Sequence, residues 1–527
     1  MRIRYSPYLL IVAVVFLGAW LRLAAFDLME FKNDEAAAII LARGAAETGL
    51  TSTGMAGMMS GAGIRNPPGF ILLLLPIAAL SSSPLVFGVS IAVFNIAALG
   101  IILLLGRELR APLAGFWACA FLAAHPWHIL YSRKIWAQSL LPVFVLHFLR
   151  AIARCERVPK SRAAFFPGLL AGLIWQIHYS GYCVVFFCAV WLIATAARKK
   201  LNCLFAVLGI VLGAGLLVPY ALYLRTTGFR DLLLSFSGPW FGGANAGTNL
   251  AGIVRGFAAT AFSGGFGYPF SPAPAPLSAT PLGEASPWLS PAAFAATGLI
   301  LILAAAGAFS RFRKKEIPVL ARCTPWLLFF TLTPPLLYFV RGIETPPHYF
   351  LLSFPAVLFL AGAGMENVLS WAAAGKSGDG RKWNTPSAKG IMGGAAALLG
   401  MLIVFAGVNV WSAFIGYIGK TGGTGGDYGL AYRVQEKAVD ALVEERVGRL
   451  DTGLMRDEGI GVRYLLYLRR GDYAPDPAVH GRLIDTLLFP GRACSPYRFE
   501  TTERTVGPLI ICFSEIPMSS SNRDLPS

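Results

Sequence analysis

Apolar residues fall in runs of about twenty, separated by short polar or basic stretches, over most of the chain. Runs at 8–26, 84–105, 112–131, 135–150, 163–179, 181–197, 201–222, 291–310, 318–340, 347–371 and 391–417 are each read as a membrane-crossing helix. The run 70–80 is too short to span, and Asn66-Pro67-Pro68 precedes it, so it is expected to lie in the membrane interface. Beyond residue 417 the pattern changes. Leu430 to Val447 reads as an amphipathic helix, and Val462–Leu468 and Pro508–Phe513 read as short strands.

The basic residues orient these crossings. Arg107/Arg110, Arg154/Arg157/Lys160/Arg162, Arg198/Lys199/Lys200, Arg311/Arg313/Lys314/Lys315 and Lys376/Arg381/Lys382/Lys389 cluster between apolar runs. If all five clusters face the cytosol, each segment between two of them crosses an even number of times. About eleven crossings result, with a cytosolic N-terminus and an external C-terminus. The basic start, Met1 to Arg4, leads into a run long enough to span, which reads as a retained first helix. The fold class expected is mainly α. It is a polytopic bundle of about eleven transmembrane helices (1–417) with external loops 27–83 and 223–290, an interfacial helix, and a small external α/β domain (418–527).

Composition agrees. The chain is 55% hydrophobic and 14% charged, well below the roughly 25% charged of soluble domains, so most of its surface must face lipid. A net charge of +17 could indicate nucleic acid. Here the cations sit in short inter-helix clusters with no aromatic-interleaved face, so anionic lipid explains them better. Cysteines in the apolar runs behave as small hydrophobes. Cys494 and Cys512 share the external tail, where an oxidising compartment would let them pair.

Candidate chemistry concentrates at the external boundary. Asp34 and Glu35 follow the first apolar run, and an ionisable pair at a membrane edge is a functional-site hypothesis. Favoured first-turn acids of a helix over 33–44 are the plainer explanation. Arg65 precedes Asn66-Pro67-Pro68-Gly69, Arg133 and Lys134 occupy an external hairpin tip, and Arg341 occupies another. External cations run against the positive-inside trend. A phosphate ligand would account for them, and interfacial snorkelling is the alternative. His125, His128, His178 and His348 fall at outer helix ends. They raise the question of a divalent metal, but no pair shows ligand spacing with acids, so no metal is assigned.

Together Asn33-Asp34-Glu35, Arg65 to Phe70, Tyr131-Ser132-Arg133-Lys134-Ile135-Trp136-Ala137-Gln138 and Arg341 to Pro355 resemble the GT-C membrane glycosyltransferases. The branch is that of protein O-mannosyltransferases and lipid A aminoarabinose transferases, and the likeness covers about residues 1–420. The resemblance implies a polyprenyl-phosphate sugar donor and transfer, outside a bacterial plasma membrane, to a hydroxyl of a lipid, polysaccharide or protein. It implies Asp34 as catalytic base with Glu35 beside it, and Arg65, Arg133, Lys134 and Arg341 on the donor phosphate. Asn66, His125, His128, Gln138, His178, His348 and Tyr349 become candidate substrate contacts. Gln138 stands where several relatives carry an acid, which puts metal dependence in doubt. The competing reading is a transporter or flippase for a lipid-linked or anionic solute. That reading predicts charges near the midplane and often two related halves, and the sequence has neither. A structural scaffold would have no use for the acidic pair.

Overall fold

The computed structural model describes residues 7–49, 56–60, 64–231, 233, 250–271, 276–310, 319–340, 346–374, 386–424, 426–444 and 459–470, with the backbone of four strands beyond residue 448. The apolar runs are helices. In chain order they are α1 (Pro7–Leu23), α2 (Asn33–Thr48), α3 (Gly69–Leu80), α4 (Pro84–Glu108), α5 (Pro112–Ala124) and α6 (Pro126–Tyr131). Next come α7 (Ala137–Arg157), α8 (Phe165–Ile177), α9 (Tyr182–Ala197), α10 (Cys203–Gly215), α11 (Val218–Thr226) and α12 (Leu250–Thr260). The series ends with α13 (Pro281–Ala285), α14 (Leu289–Ser310), α15 (Val319–Val340), α16 (Phe354–Ala374), α17 (Pro386–Thr421), α18 (Tyr432–Glu444) and α19 (Gly459–Arg470).

Among the described residues seven helices are long and apolar enough to cross a membrane, and α10 with α11 forms an eighth candidate bent by 40°. The shorter apolar helices α1, α5 and α8 supply three more, which accounts for the eleven expected runs. Helix α3 has 12 residues, about 18 Å of rise, and cannot span. It packs against α2, buries Phe70, Ile71 and Leu74, and ends at the exposed Leu80.

Lipid offers apolar helices no hydrophobic drive to associate, so close packing of small residues takes over. The central pair α14 and α16 shows this. A Cβ at Gly364 would lie 1.9 Å from the Leu303 carbonyl oxygen, and one at Gly307 would lie 2.1 Å from that of Leu360. On its other side α16 packs against α5 at Gly362.

The bundle has two chemically different ends. At one, Glu108 pairs with Arg154 and Arg157, at 2.7 and 2.9 Å, and the Lys160 N–H bonds the Lys200 carbonyl. Three of the basic clusters therefore share an end, as an even number of crossings requires. At the other end lie the turn after α1, helices α2 and α3, the tips at 131–136 and 178–182, and the segment after α17.

That last segment departs from expectation. Val462–Leu468, expected as a strand, lies within helix α19. Val462, Tyr464 and Leu465 are buried, with α19 packed on α2 and α18, so tertiary contact overrides the local preference of Val and Tyr for strands. The amphipathic helix is present as α18. The stretch 508–513 falls largely in a strand: β1 (Arg449–Leu450), β2 (Arg482–Leu488), β3 (Thr501–Val506) and β4 (Leu509–Glu515) form one sheet in the order β1-β2-β4-β3. Only β1 and β2 are parallel. Cys494 lies outside the described residues, as do Arg341 and part of the loop 223–290.

Candidate active site

The chain reverses after α1 through Ala25, whose φ of 48° is left-handed. Arg133 holds that turn. Its guanidinium donates to the carbonyls of Ala24, at 2.7 Å, and Ala25, and lies 5.0 Å from the Phe26 ring centre. These are carbonyls that the end of a helix leaves without partners, and a cation suits that end of the helix dipole. Arg133 is 2% exposed, so its donors serve the fold and are not presented to a phosphate. This corrects its assignment to the donor site.

Glu30 follows on the extended segment Met29–Lys32, which lies along residues 430–432. Its carboxylate is fully buried and takes three donors: the Lys32 ammonium at 2.8 Å, the Gly429 N–H at 2.7 Å, and the Lys134 ammonium. Lys134 is 1% exposed and also sits 4.2 Å from the Trp136 ring centre. Lys32 donates to the Asp427 carbonyl as well. Burial pushes the Glu30 carboxyl upward, but the charges and hydrogen bonds of Lys134 and Lys32 outweigh it and hold the group below the usual glutamate value. Lys134 is therefore a buried counter-ion, a second correction to the expected phosphate set.

The acidic pair splits by helical phase. Glu35 shares the inward face of α2 with Ala38, Ile39 and Ala42 and is fully buried. Asp34, about 100° round the helix, is exposed. The desolvated carboxyl is thus Glu35, not Asp34 as expected. Burial first, then the nearby charges of Glu30 and Asp34, push Glu35 up to about 8. One of its oxygens accepts the Lys32 N–H at 3.0 Å, and the other has no partner among the described residues.

The remaining candidates divide into two groups. His125 and His128 are buried: His125 Nε2 lies 3.1 Å from the Ala261 carbonyl, and His128 Nδ1 lies 2.6 Å from the Arg22 guanidinium. They secure the break between α5 and α6 rather than face a ligand. Gln138 is half-buried in the first turn of α7. The other group meets around a small, partly open cleft. Asn66, His178 and Tyr349 line it together with Ser60, Ser180 and Tyr338. Gly69 makes this approach possible, because a Cβ there would lie 2.6 Å from the Gln176 carbonyl oxygen. The Tyr179 N–H then reaches the Asn66 side-chain oxygen at 3.2 Å. His348 lies beyond Tyr349, with ring centres 4.7 Å apart, and faces Trp136 edge-on at 5.5 Å. Arg65 is half-buried beside the cleft, its N–H on Asp231 at 3.2 Å.

Of the cations expected on the donor phosphate, Arg133 and Lys134 are therefore spent inside the acidic turn, and Arg65 is the described one that is not. Sequence reasoning also missed Glu30, Lys32, Asp427 and Tyr428. Glu30 stands alone in an apolar stretch, Leu28-Met29-Glu30-Phe31, which was a usable signal. Tyr428, whose hydroxyl donates to the Leu28 carbonyl at 2.5 Å, lies 400 residues away and gave none. Among the described residues no cluster of three His, Cys, Asp or Glu could hold a metal ion.

No family model and no curated protein matches the sequence. Solved structures do resemble the fold. ArnT from Cupriavidus metallidurans in the apo state matches with a TM-score of 0.55 and 11% identity over 96% of this chain and 97% of that one. The same protein bound to undecaprenyl phosphate gives 0.54 and 9% over 98% and 99%. The apo oligosaccharyltransferase of Archaeoglobus fulgidus gives 0.51 and 12% over 88% of this chain, but this chain spans only 64% of that one. At such identities the likeness is one of fold. The polytopic helical architecture expected from the sequence is the architecture observed, and ArnT shares that fold over nearly the whole of both chains.

Proposed function

We propose that this protein transfers a sugar from a polyprenyl-phosphate donor to an acceptor hydroxyl at the membrane end that carries the acidic turn. The observation that carries this reading is the full-length correspondence in fold with ArnT, a protein solved with undecaprenyl phosphate bound. By the positive-inside trend, the end carrying Arg154, Arg157 and Lys160 is cytosolic in a plasma membrane and the reacting end external.

The reaction is a single displacement. The acceptor oxygen attacks the anomeric carbon, the bond to phosphate breaks with its electrons leaving on the polyprenyl phosphate, and the acceptor proton passes to a carboxylate. Inversion follows from attack opposite the phosphate. Asp34 is the base by accessibility. Glu30 is consumed by two lysines, and Glu35 is buried and holds its proton to about pH 8. Asp34 alone of the three meets solvent, where an acceptor can reach it. Arg65 and Arg341 remain the cations proposed for the leaving phosphate.

The test is sugar transfer from polyprenyl lipid by the purified protein in nanodiscs. Asp34→Asn should lower the rate by roughly 100-fold or more while undecaprenyl-phosphate binding and melting temperature stay near wild type. Retained turnover would remove Asp34 from the mechanism.

A further inference from the structure

We infer that the helical part of the C-terminal tail splints the acidic turn, and that Gln435 and Gly461 are positioning residues for Asp34. This rests on the reading of Asp34 as the base and gives the tail a part in the same reaction.

Asp34 is the second residue of α2, and the extended segment before it has no helical ladder to hold its backbone. The tail supplies the missing partners. The Tyr432 N–H donates to the Met29 carbonyl at 2.8 Å, and the Phe31 N–H donates to the Leu430 carbonyl at 3.4 Å. Gln435, fully buried, donates through Nε2 to the Phe31 carbonyl and to the Leu430 carbonyl, the latter at 3.2 Å. One amide thus ties the turn to the tail. The Phe31 ring is buried between Tyr432 and Tyr464, with ring centres 6.0 and 6.3 Å away. At the start of α19 the Ile460 N–H donates to the Asn33 side-chain oxygen at 2.8 Å. Phe31 and Asn33, just before Asp34, are both fixed by the tail, while Asp34 itself stays exposed.

The fit is tightest at Gly461. A Cβ there would lie 2.9 Å from the Gln435 side-chain oxygen and 3.2 Å from the Phe31 carbonyl oxygen. Any side chain at 461 must turn the Gln435 amide aside or lift α19 off the turn. Glycine is otherwise a poor helix residue, so its place inside α19 serves this approach. Placement matters because a catalytic group displaced by about 1 Å can lose roughly 100-fold in rate. The ion pairs of Arg469 with Glu436 and Asp440, by contrast, join α18 to α19 within the tail.

The test is transfer of radiolabelled sugar from total polyprenyl lipid by the full-length protein in nanodiscs, read beside hydrogen exchange of residues 27–36. Gln435→Met, which keeps the length and removes the donor, should lower the saturating rate about tenfold and leave the half-saturating lipid concentration within about twofold. Exchange over 27–36 should quicken by about tenfold. Gly461→Ala favours the helix and should still lower the rate, with exchange in α19 no faster, a pattern that a merely loosened tail does not give. Arg469→Ala should keep the wild-type rate. Wild-type rates in both Gln435→Met and Gly461→Ala, beside an inactive Asp34→Asn, would overturn the splint and leave the base reading standing. Slower transfer with unchanged exchange over 27–36 would also overturn the splint alone. An active Asp34→Asn would overturn both.

Discussion

The acidic turn and the neutral cleft occupy the same end of the molecule and solve opposite problems. In the turn, every strong charge is matched inside the protein: Glu30 by Lys32 and Lys134, and the free carbonyls after α1 by Arg133. In the cleft, polar groups converge with no charge among them, and the Ser60 hydroxyl still lacks a described partner. Cations in an external loop therefore do not by themselves mark an anion site. A ligand is better sought where polar groups remain unspent than where charges are most numerous.

The largest expected effect breaks the turn. Glu30→Gln leaves two buried ammonium groups facing each other without a countercharge, and should lower stability by about 3–5 kcal/mol. Thermal unfolding in detergent measures it. A loss under about 1 kcal/mol would mean that the lysines reach water and that the turn is not sealed.

A smaller effect breaks the cleft. Gly69→Ala places a methyl 2.6 Å from the Gln176 carbonyl, so α3 and α8 must separate. The cost should be about 1–3 kcal/mol, measured by thermal unfolding in detergent. An unchanged melting temperature would mean that α3 and α8 part without cost and that the close approach at Gly69 is not needed.

The smallest effect near pH 4.5, and the only one expected to change with pH, sharpens the contrast within the turn itself. The folded protein keeps the Glu35 proton up to about 8, whereas the unfolded chain releases it near 4.5. Between those values the native state binds the extra proton, so this group's share of stability falls as pH rises from about 4.5 to 8 and is level above. Glu35→Gln, which replaces a neutral acid by an amide of similar shape, should change stability near pH 4.5 by roughly 0.5 kcal/mol or less, flatten that slope, and so leave the variant the more stable of the two from pH 7 upward. Melting curves between pH 5 and pH 9 in the two proteins give the answer. Two glutamates five positions apart should thus respond to one chemical change with opposite signs at neutral pH.

Much of the bundle was legible in the sequence, because a membrane helix must satisfy its own backbone and its length is set by the bilayer. The runs 84–105 and 135–150, for example, reappear as α4 and α7. So was the non-spanning character of α3. The end of the chain was read less well. Alternation around Val462 suggested a strand, and only the contact of α19 with α2 and α18 makes it helical. At the candidate site, the position of Asp34 and Glu35 was readable, but their division into an exposed and a buried acid depended on which face of α2 meets the core.

By itself, then, the sequence determined the number of apolar runs, the basic end, and the outer segments where chemistry could collect. Length and charge are local quantities, and the bilayer reads them directly. Only the tertiary structure decided which charges are spent and which polar groups are left for a ligand. Glu30 meets Lys134 across 104 residues and Tyr428 reaches Leu28 across 400, and no local pattern encodes such partners. A buried charge takes its meaning from what surrounds it, and those surroundings exist only once the chain has packed.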